Sequence, residues 1–300
     1  MKNISCCVNT YKRPELLKKL LISLINQKLE DDINFEIIVV DNDPLKQGEP
    51  VVKEILSNND FQIRYFTQPE KNIALTRNVA VHYAKYKNIC FIDDDEYADP
   101  LWMSSLVNCS IKYQADAVFG SVIPYFSEAT PNWLKEVELF QKHIGVTGEI
   151  AKFTQTANCL IKTGTIRSIE EPFDLNYGLT GGSDTHLFKS LLAQNAKYVY
   201  CKEAIVYDFI PPERANVKWL LHRSFRTGNS YTRRVIEFAE NKFTTRIKLL
   251  LRAMLFSLIS LLFMIINLPS KKRFIKWTLK LTGNLGHLTA IFNIHYVEYK

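Results

Sequence analysis

The sequence predicts an α/β fold that is followed by a basic helical extension. Over the first hundred residues, short apolar runs typical of strands alternate with longer runs that have helical spacing of apolar residues. Repeated β–α units of this length indicate a mostly parallel sheet with helices on both faces. Charge divides the chain as well, because residues 1–213 carry a net charge of −6 and residues 214–300 carry +13. We therefore expect two domains, at residues 1–215 and 216–300.

The predicted elements alternate in order along the first half. A buried strand over residues 4–8 leads to a helix that begins near Pro14, since proline is favoured in the first helical turn. A second strand over residues 35–40 ends at the turn-forming segment 41–44. The remaining predicted elements are a helix near 51–56, a strand at 63–66, a helix at 74–86, a strand at 89–92 and a helix near Pro100.

Composition excludes several classes of protein. A chain with 47% hydrophobic and 23% charged residues is globular rather than disordered. Six cysteines with no C-x-x-C spacing argue against a disulfide scaffold and against a zinc site. Residues 1–13 lack the basic and apolar regions of a signal peptide. We expect reduced thiols and a catalytic domain in the cytoplasm.

Four acidic residues directly follow the strand at 89–92, and they are Asp93, Asp94, Asp95 and Glu96. Neighbouring carboxylates repel one another unless a cation offsets their charge. Ligands of such sheets bind beyond the carboxyl ends of the strands, which groups this loop with Thr10, Tyr11 and Asp41. One interpretation is a site for Mg²⁺ or Mn²⁺ that a substrate diphosphate completes. The other is a solvated loop in which Asp99 caps the next helix.

Five segments together resemble the family 2 glycosyltransferases, whose catalytic domain has the Rossmann-like GT-A fold of nucleotide-diphospho-sugar transferases. They read ISCCVNTYKRP at 4–14, FEIIVVDND at 35–43, NIALTRNVA at 72–80, ICFIDDDE at 89–96 and GGSDTHLF at 181–188. The stretch 206–228 is similar to the subgroup that builds bacterial exopolysaccharides of the succinoglycan type. The resemblance covers about residues 1–230 and depends on the order and spacing of the motifs.

The resemblance implies roles for the residues in these motifs. The donor-binding set that it implies is Thr10, Tyr11, Arg13, Asp41, Arg77 and Asp94. Within that set, Thr10, Tyr11 and Asp41 would contact the uracil of a UDP-sugar, and Arg77 would meet the diphosphate, which suits a forked guanidinium. Asp94 would contact the ribose or the donor sugar. Asp95 would bind Mg²⁺ or Mn²⁺, with Asp93 in support.

Asp184 is the candidate general base that accepts the proton of the attacking hydroxyl. It follows Gly181, Gly182 and Ser183, so we expect Ser183 to cap a helix with Asp184 in its first turn. The helix dipole there favours the charged carboxylate. An acidic residue in a first turn without catalytic duty is the alternative, and Asp174 or Asp208 would then be the next candidates. The family usually has Glu at the position of Ser183.

The basic C-terminal region also holds the most apolar stretch, residues 253–268. Basic residues flank this stretch on both sides, and a straight span needs about 20 residues. We therefore expect an in-plane or shallowly inserted helix, with a second helix through 277–292 beside it. Residues from about 246 to 292 would place the enzyme on the inner leaflet, at the cytoplasmic face of the cell membrane. A wholly buried helix of a soluble protein is the alternative.

The combined expectation is an inverting, metal-dependent glycosyltransferase that acts on a UDP-sugar and on a glycan or lipid-linked acceptor in cell-surface polysaccharide synthesis. Processive relatives carry a Gln-x-x-Arg-Trp motif, which this sequence lacks, so we expect one sugar per encounter. The pairing of basic and apolar residues indicates a membrane surface rather than nucleic acid. A metal-dependent nucleotidyltransferase, with Arg13 near the pyrophosphate, and a non-catalytic membrane-bound scaffold are the alternatives.

Overall fold

The computed structural model describes residues 2–58, 61–137, 139–140 and 145–297. The chain divides into two compact units. The first, which we call the sheet unit, comprises Met1–Tyr125 with Lys142–Phe209, and the second, the helical unit, comprises Phe126–Gln141 with Ile210–Lys300. The domain boundary expected at residue 215 stays a prediction; the division into compact units lies after Phe209 and also adds 126–141 to the C-terminal part.

The described strands form one eight-stranded sheet in the order β3-β2-β1-β4-β7-β6-β8-β5. Their bounds are β1 Ile4–Thr10, β2 Phe35–Asp41, β3 Ile63–Thr67, β4 Asn88–Asp93, β5 Glu96–Ala98, β6 Ala117–Phe126, β7 Asn158–Lys162 and β8 Tyr198–Ile210. Strands β3, β2, β1 and β4 are parallel, whereas β4 pairs with β7, β7 with β6 and β5 with β8 in antiparallel fashion. The expectation of a mostly parallel sheet holds only for the first half of the chain, where the alternating pattern was found.

Helices of the sheet unit cover both faces of the sheet, as predicted. Their bounds are α1 Pro14–Ile25, α2 Glu49–Asn58, α3 Ile73–Tyr83, α4 Trp102–Tyr113, α6 Thr163–Ile166 and α7 Ser183–Ala193, with a 3₁₀ helix at Leu175–Tyr177. Leucines of α1 and Trp102 of α4 join one buried cluster with Cys6, while α3 and α7 join the other cluster with Cys7. Alternate residues of β1 therefore face opposite layers, as a strand requires.

Two helix ends differ from the prediction for identifiable reasons. Helix α3 ends at Tyr83 rather than near 86. The buried side chains of Ser5 and Glu36 accept hydrogen bonds from the backbone N–H of Lys85, and Ser5 also accepts from that of Tyr86, so these amides need no further helical turn. Helix α4 begins at Trp102, and Asp99 accepts a hydrogen bond from the Leu101 N–H just before it.

The helical unit contains α5 Asn132–Lys135 and three long helices, α8 Val217–Glu237, α9 Lys242–Ile266 and α10 Lys271–Ile291. Helices α8 and α10 approach backbone to backbone. A Cβ atom added at Gly228 would lie 2.0 Å from the Gly283 carbonyl oxygen, and one added at Gly286 would lie 2.0 Å from that of Phe225. Glycine is required at both positions because any side chain would separate the two helices.

Helix α9 is 25 residues long, which by length and composition is enough to cross a membrane. Its small residues Ala253 and Ser260 are buried, whereas Leu251, Leu258 and Leu262 are 64%, 65% and 56% exposed. Within the described residues, α9 is therefore not a wholly buried helix. The apolar C-terminal helix matches the expected membrane-associated extension.

Candidate active site at the strand ends

The carboxyl ends of the central strands lie in register at one edge of the sheet. Thr10 is paired with Asp41 across β1 and β2, and Asn9 is paired with Asp93 across β1 and β4. Neighbouring parallel strands therefore present the predicted residues from three distant parts of the sequence at the same edge. This is the position at which open α/β sheets bind ligands.

Arg13 joins the acidic loop to the start of α1. Its Nη1 lies 3.0 Å from Asp94 Oδ1 and 2.9 Å from Asp95 Oδ2. The other Asp94 oxygen accepts hydrogen bonds from the Thr10 hydroxyl at 2.9 Å and from the Tyr11 N–H at 3.3 Å. The structure thus brings together five residues of the predicted site, and Asp94 lies at their centre.

The carboxylates of this loop suit a hard divalent cation. Burial raises the pKa of Asp94 to about 6, Arg13 opposes this shift, and the neighbouring Asp95 adds to it. Two carboxylate oxygens, from Asp94 and Asp95, already converge on one cationic nitrogen of Arg13. Oxygen ligands that gather around positive charge are the donor set that Mg²⁺ and Mn²⁺ prefer. The residues present therefore fit such an ion.

Asp41 is fully buried, and its carboxylate accepts three hydrogen bonds from within the chain. The Asp43 N–H donates to one oxygen, and the Gly48 N–H and the Tyr65 hydroxyl donate to the other. Asp43 is also buried, but its Oδ2 accepts no hydrogen bond from the described residues. The sequence analysis predicted a role for Asp41 but none for Asp43, whose Oδ2 can still accept a hydrogen bond. The uracil contact of Asp41 stays a prediction.

Two lysines flank the ring of Tyr11. The Nζ atoms of Lys12 and Lys71 lie 5.1 Å and 5.7 Å from the centroid of the ring. Lys12 has a φ of 56°, in the left-handed region. Neither lysine was predicted, because one sits in a loop and the other is 59 positions further on. They give positive charge to the rim of the site, where a diphosphate would be attracted.

Arg77 of α3 spans the distance between two groups of predicted residues. Its Nη1 donates to the Ser183 hydroxyl at 3.1 Å, and its Nη2 lies 3.9 Å from Asp93 Oδ1. The guanidinium also lies over the Phe173 ring, 5.5 Å from its centroid, and its Nε makes no hydrogen bond with the described residues. Arg77 therefore connects the acidic loop with the start of α7, and its Nε–H has no acceptor among the described residues.

Asp184 lies in the first turn of α7, as predicted, but the cap differs. The N-cap residue is Gly182, with a φ of 97°, after Gly181 with a φ of 75°. Two consecutive left-handed residues require glycine. Ser183 is the first helical residue, and its buried hydroxyl accepts from Arg77 instead of capping the helix. Asp184 is half-buried, and its Oδ1 accepts from the Thr185 N–H at 2.7 Å.

The sequence profile described as glycosyl transferase family 2 matches residues 5–171. The chain belongs to this family. The succinoglycan biosynthesis protein ExoM of Rhizobium meliloti (strain 1021) is 29% identical over 79% of this chain and 76% of its own length. The hyaluronan synthase of Pasteurella multocida is 33% identical over 35% of this chain and 10% of its own length.

Solved structures agree on the fold. The mannosyltransferase PcManGT from Pyrobaculum calidifontis, in complex with GDP-Man and Mn²⁺, aligns with 97% of this chain and 87% of its own with a TM-score of 0.66 at 14% identity. TarS residues 1–349 of S. aureus, in complex with UDP, aligns with 96% of this chain and 90% of its own with a TM-score of 0.55 at 16% identity. This family 2 member therefore has a GT-A fold and is a glycosyltransferase, which confirms the predicted resemblance, fold class and enzyme class.

The alternative bases of this glycosyltransferase lie in other contacts of the sheet unit. The Asp174 carboxylate caps the 3₁₀ helix by accepting from the Asn176 N–H, and its Oδ2 lies 3.9 Å from His186 Nε2. Asp208 is the register partner of the buried Glu96, whose carboxylate accepts from the Asp93 N–H. Asp184 alone of these candidates directly follows the residue that Arg77 holds. The roles of all the named site residues remain predictions.

Proposed function

We propose that this glycosyltransferase moves a sugar from a UDP-sugar to a hydroxyl of a glycan or lipid-linked acceptor in a single inverting displacement. The observation that carries the proposal is the double contact of Arg77 with Ser183 and Asp93. It connects the strand-end carboxylates, which suit a nucleoside diphosphate and a cation, with the helix that presents Asp184. We infer that the donor site and the candidate base lie on elements that Arg77 connects.

On the donor side, Asp95 and Asp93 would hold Mg²⁺ or Mn²⁺, and the ion would offset the negative charge that develops on the departing diphosphate. Arg13 and Arg77 both lie within 4 Å of carboxylate oxygens of this loop. Arg13 pairs with Asp94 and Asp95, so its positive charge reduces the repulsion between these two adjacent carboxylates before the ion binds. The guanidinium of Arg77 would meet the diphosphate.

On the acceptor side, Asp184 would accept the proton as the acceptor oxygen forms its bond to the anomeric carbon. In the same step the bond from that carbon to the phosphate oxygen breaks, and UDP leaves with the electron pair. The attacking and leaving oxygens lie on opposite faces of the carbon, so its configuration inverts.

Purified protein with a panel of nucleotide sugars and Mn²⁺ tests the proposal. We expect UDP with Mn²⁺ to raise the melting temperature and one UDP-sugar to give a product whose mass increases by a single glycosyl unit, with release of UDP. Transfer of a nucleotide with release of pyrophosphate would instead support the nucleotidyltransferase alternative. Stabilisation by GDP but not by UDP would overturn the choice of donor.

The names of the relatives support a polysaccharide as the context of the reaction. One is a succinoglycan biosynthesis protein, which matches most of the chain, and another is a hyaluronan synthase. We infer that the acceptor is a growing bacterial cell-surface glycan. A lipid-linked acceptor is also consistent with the exposed apolar helix of this chain.

For the membrane, we infer that α9 lies in the plane of the cytoplasmic leaflet. Arg246, near its start, donates to the Ile291 carbonyl and to Asn293, and Phe263, near its end, stacks on Trp277 at 4.5 Å. Helix α10 therefore runs antiparallel along the whole apolar part of α9. A perpendicular α9 would carry α10 across the bilayer with it.

Helix α8 would follow, because it packs along the middle of α10. Ser224, Asn229 and Thr232 of α8 bond to Leu279, Thr289 and His287 of α10. The same helix carries four arginines, Arg223, Arg226, Arg233 and Arg234. Each arginine at the bilayer centre costs about 2.5–3.5 kcal/mol on insertion scales. An in-plane α9 leaves these charges at the phosphates of the headgroups and avoids this cost.

Cysteine labelling distinguishes the two orientations. All six native cysteines are buried, so introduced ones report alone. Lys242 is the first residue of α9, and Lys271, the first residue of α10, lies just beyond the other end of α9. We expect Lys242→Cys and Lys271→Cys to react with an impermeant maleimide from the same side of sealed vesicles. Reaction from opposite sides would show that α9 spans the membrane.

A further inference from the structure

Four aromatic rings form a cluster beside the acidic loop. Tyr97 of β5 is the register partner of Tyr207 on β8, and the two rings stack at 4.7 Å with 18° between their planes. Tyr125, near the end of β6, meets Tyr97 edge-on at 5.3 Å and lies 5.1 Å from Phe209. We call these four residues the aromatic cluster.

The cluster is not part of the core. None of its members belongs to the hydrophobic clusters of the described residues, and each is partly exposed. A single cross-strand pair would be enough to stabilise this short ribbon. Four rings from three strands make a broader aromatic surface that carries three hydroxyl groups.

Backbone and side-chain contacts tie the cluster to the predicted metal loop. The Phe209 N–H donates to the Asp95 carbonyl oxygen at 3.1 Å, and Tyr97 lies two residues after Asp95. The Glu96 carboxylate accepts from the Asp93 N–H and so holds β5 against the loop. Burial raises the pKa of Tyr125, and the nearby charges of Asp208 and Asp95 add to that shift.

Pyranose rings match this surface. A sugar ring offers an apolar C–H face to an aromatic ring and hydroxyl groups to polar neighbours, and tyrosine supplies both kinds of contact with little loss of side-chain entropy. The negative charge of Asp208 acts on Tyr125 of the cluster, so a sugar that carries a carboxylate would be disfavoured there. The chemistry favours a neutral hexose.

We propose that Tyr97, Tyr125, Tyr207 and Phe209 form a subsite for a neutral pyranose of the acceptor glycan. The subsite rests on the proposed function, since it names the substrate class that the same active site would accept. It places an acceptor sugar next to the loop where the donor diphosphate is expected to bind.

Saturation-transfer NMR on the full chain tests the subsite with defined probes. The probes are the methyl β-glycosides of glucose, galactose and N-acetylglucosamine, with methyl β-glucuronide as the anionic counterpart. We expect at least one neutral glycoside to bind, and to bind more tightly than the glucuronide. If no neutral glycoside binds the wild type, the proposal is wrong.

Substitutions locate that binding. Tyr207→Leu removes the flat ring and should weaken the best glycoside at least about threefold, while Tyr207→Trp keeps a flat ring and should retain binding. Tyr83→Ala is the matched control, because Tyr83 is also an exposed ring stacked on a neighbour, Phe66, at 3.8 Å. Equal affinity in Tyr207→Leu and wild type would overturn the subsite.

UDP binding with Mn²⁺, measured on the same samples, separates the two proposals. Glycoside binding is recorded without nucleotide, so it does not depend on the donor site. A wild type that binds a glycoside but not UDP with Mn²⁺ contradicts the proposed function alone. Retained UDP affinity in Tyr207→Leu shows that the variant is folded and that its loss of glycoside binding is local.

Discussion

The sheet unit and the helical unit differ in whether their leucines are buried and in whether their charges are balanced. In the sheet unit, Leu20, Leu24 and Val39 are fully buried, and the acidic loop is balanced by Arg13. In the helical unit, Leu251, Leu258 and Leu262 of α9 are exposed, and residues 214–300 keep a net charge of +13. Leucine-rich segments therefore serve an internal core in one unit and an external surface in the other. Hydropathy alone does not distinguish the two cases.

The largest effect is expected when the proposed base of the sheet unit is removed and its core is left unchanged. Asp184→Asn keeps the shape of the side chain but removes the base, so transfer should fall by a factor of about 10² to 10⁴. UDP binding with Mn²⁺, measured by calorimetry, should persist. Asp174→Asn is the comparison variant. Near-normal turnover in Asp184→Asn together with a collapse in Asp174→Asn would reassign the base.

The second largest effect is expected from removal of a predicted metal ligand, which should weaken the metal-dependent binding of the donor. In Asp95→Ala we expect UDP affinity to lose its dependence on Mn²⁺, because the loop loses an oxygen ligand for the ion. The melting temperature should change little, since a loop carboxylate contributes little to the core. Asp31→Ala, at an exposed position, serves as the control. An unchanged response of UDP affinity to Mn²⁺ in Asp95→Ala would contradict the metal assignment.

Negative charges placed on the exposed face of α9 should weaken membrane binding by the helical unit and leave the sheet unit unaffected. Burial of one leucine side chain contributes roughly 1.5–3 kcal/mol, so Leu258→Asp with Leu262→Asp should lower partition into anionic vesicles by roughly 10²-fold or more. UDP affinity should be unchanged. A double variant that still sediments with vesicles as the wild type does would show that this face is not the membrane surface.

A milder variant separates charge from apolar insertion. Lys276→Ala removes one exposed basic residue from α10, and each such residue near an anionic leaflet contributes about 1 kcal/mol. We expect a severalfold loss of vesicle binding at low salt that disappears at high salt, because salt screens exposed charges. A loss that is independent of salt would contradict an electrostatic role.

The last variant tests the close approach of α8 and α10. Gly286→Ala places a methyl group against the Phe225 carbonyl and should destabilise the helical unit by about 1–3 kcal/mol. Hydrogen exchange in residues 217–237 should accelerate, while exchange in the sheet unit stays the same. Gly164→Ala is the matched control, because a Cβ atom there meets nothing within 4 Å. Equal exchange rates in both variants would argue against the backbone contact.

The antiparallel half of the sheet shows why part of the fold was not predicted. Strands β6, β7 and β8 lie between or beyond irregular segments, and their pairing with β4 and β5 joins residues that are distant in sequence. A parallel β–α repeat has a local signature, whereas antiparallel pairing across long connections has none. The prediction of a mostly parallel sheet extended the local signature too far.

Motif order and hydrophobic period are local properties of the chain, and they were enough to predict the family, the parallel half of the sheet and the acidic loop. Which side chains meet depends on the tertiary structure. Strand register brings Arg13 to Asp94 and Asp95 across some eighty positions, and helix packing brings Arg77 to Ser183 across 106. Tertiary packing also satisfied Asp41 internally and left α9 exposed. These outcomes depend on contacts between distant elements, which no local pattern encodes.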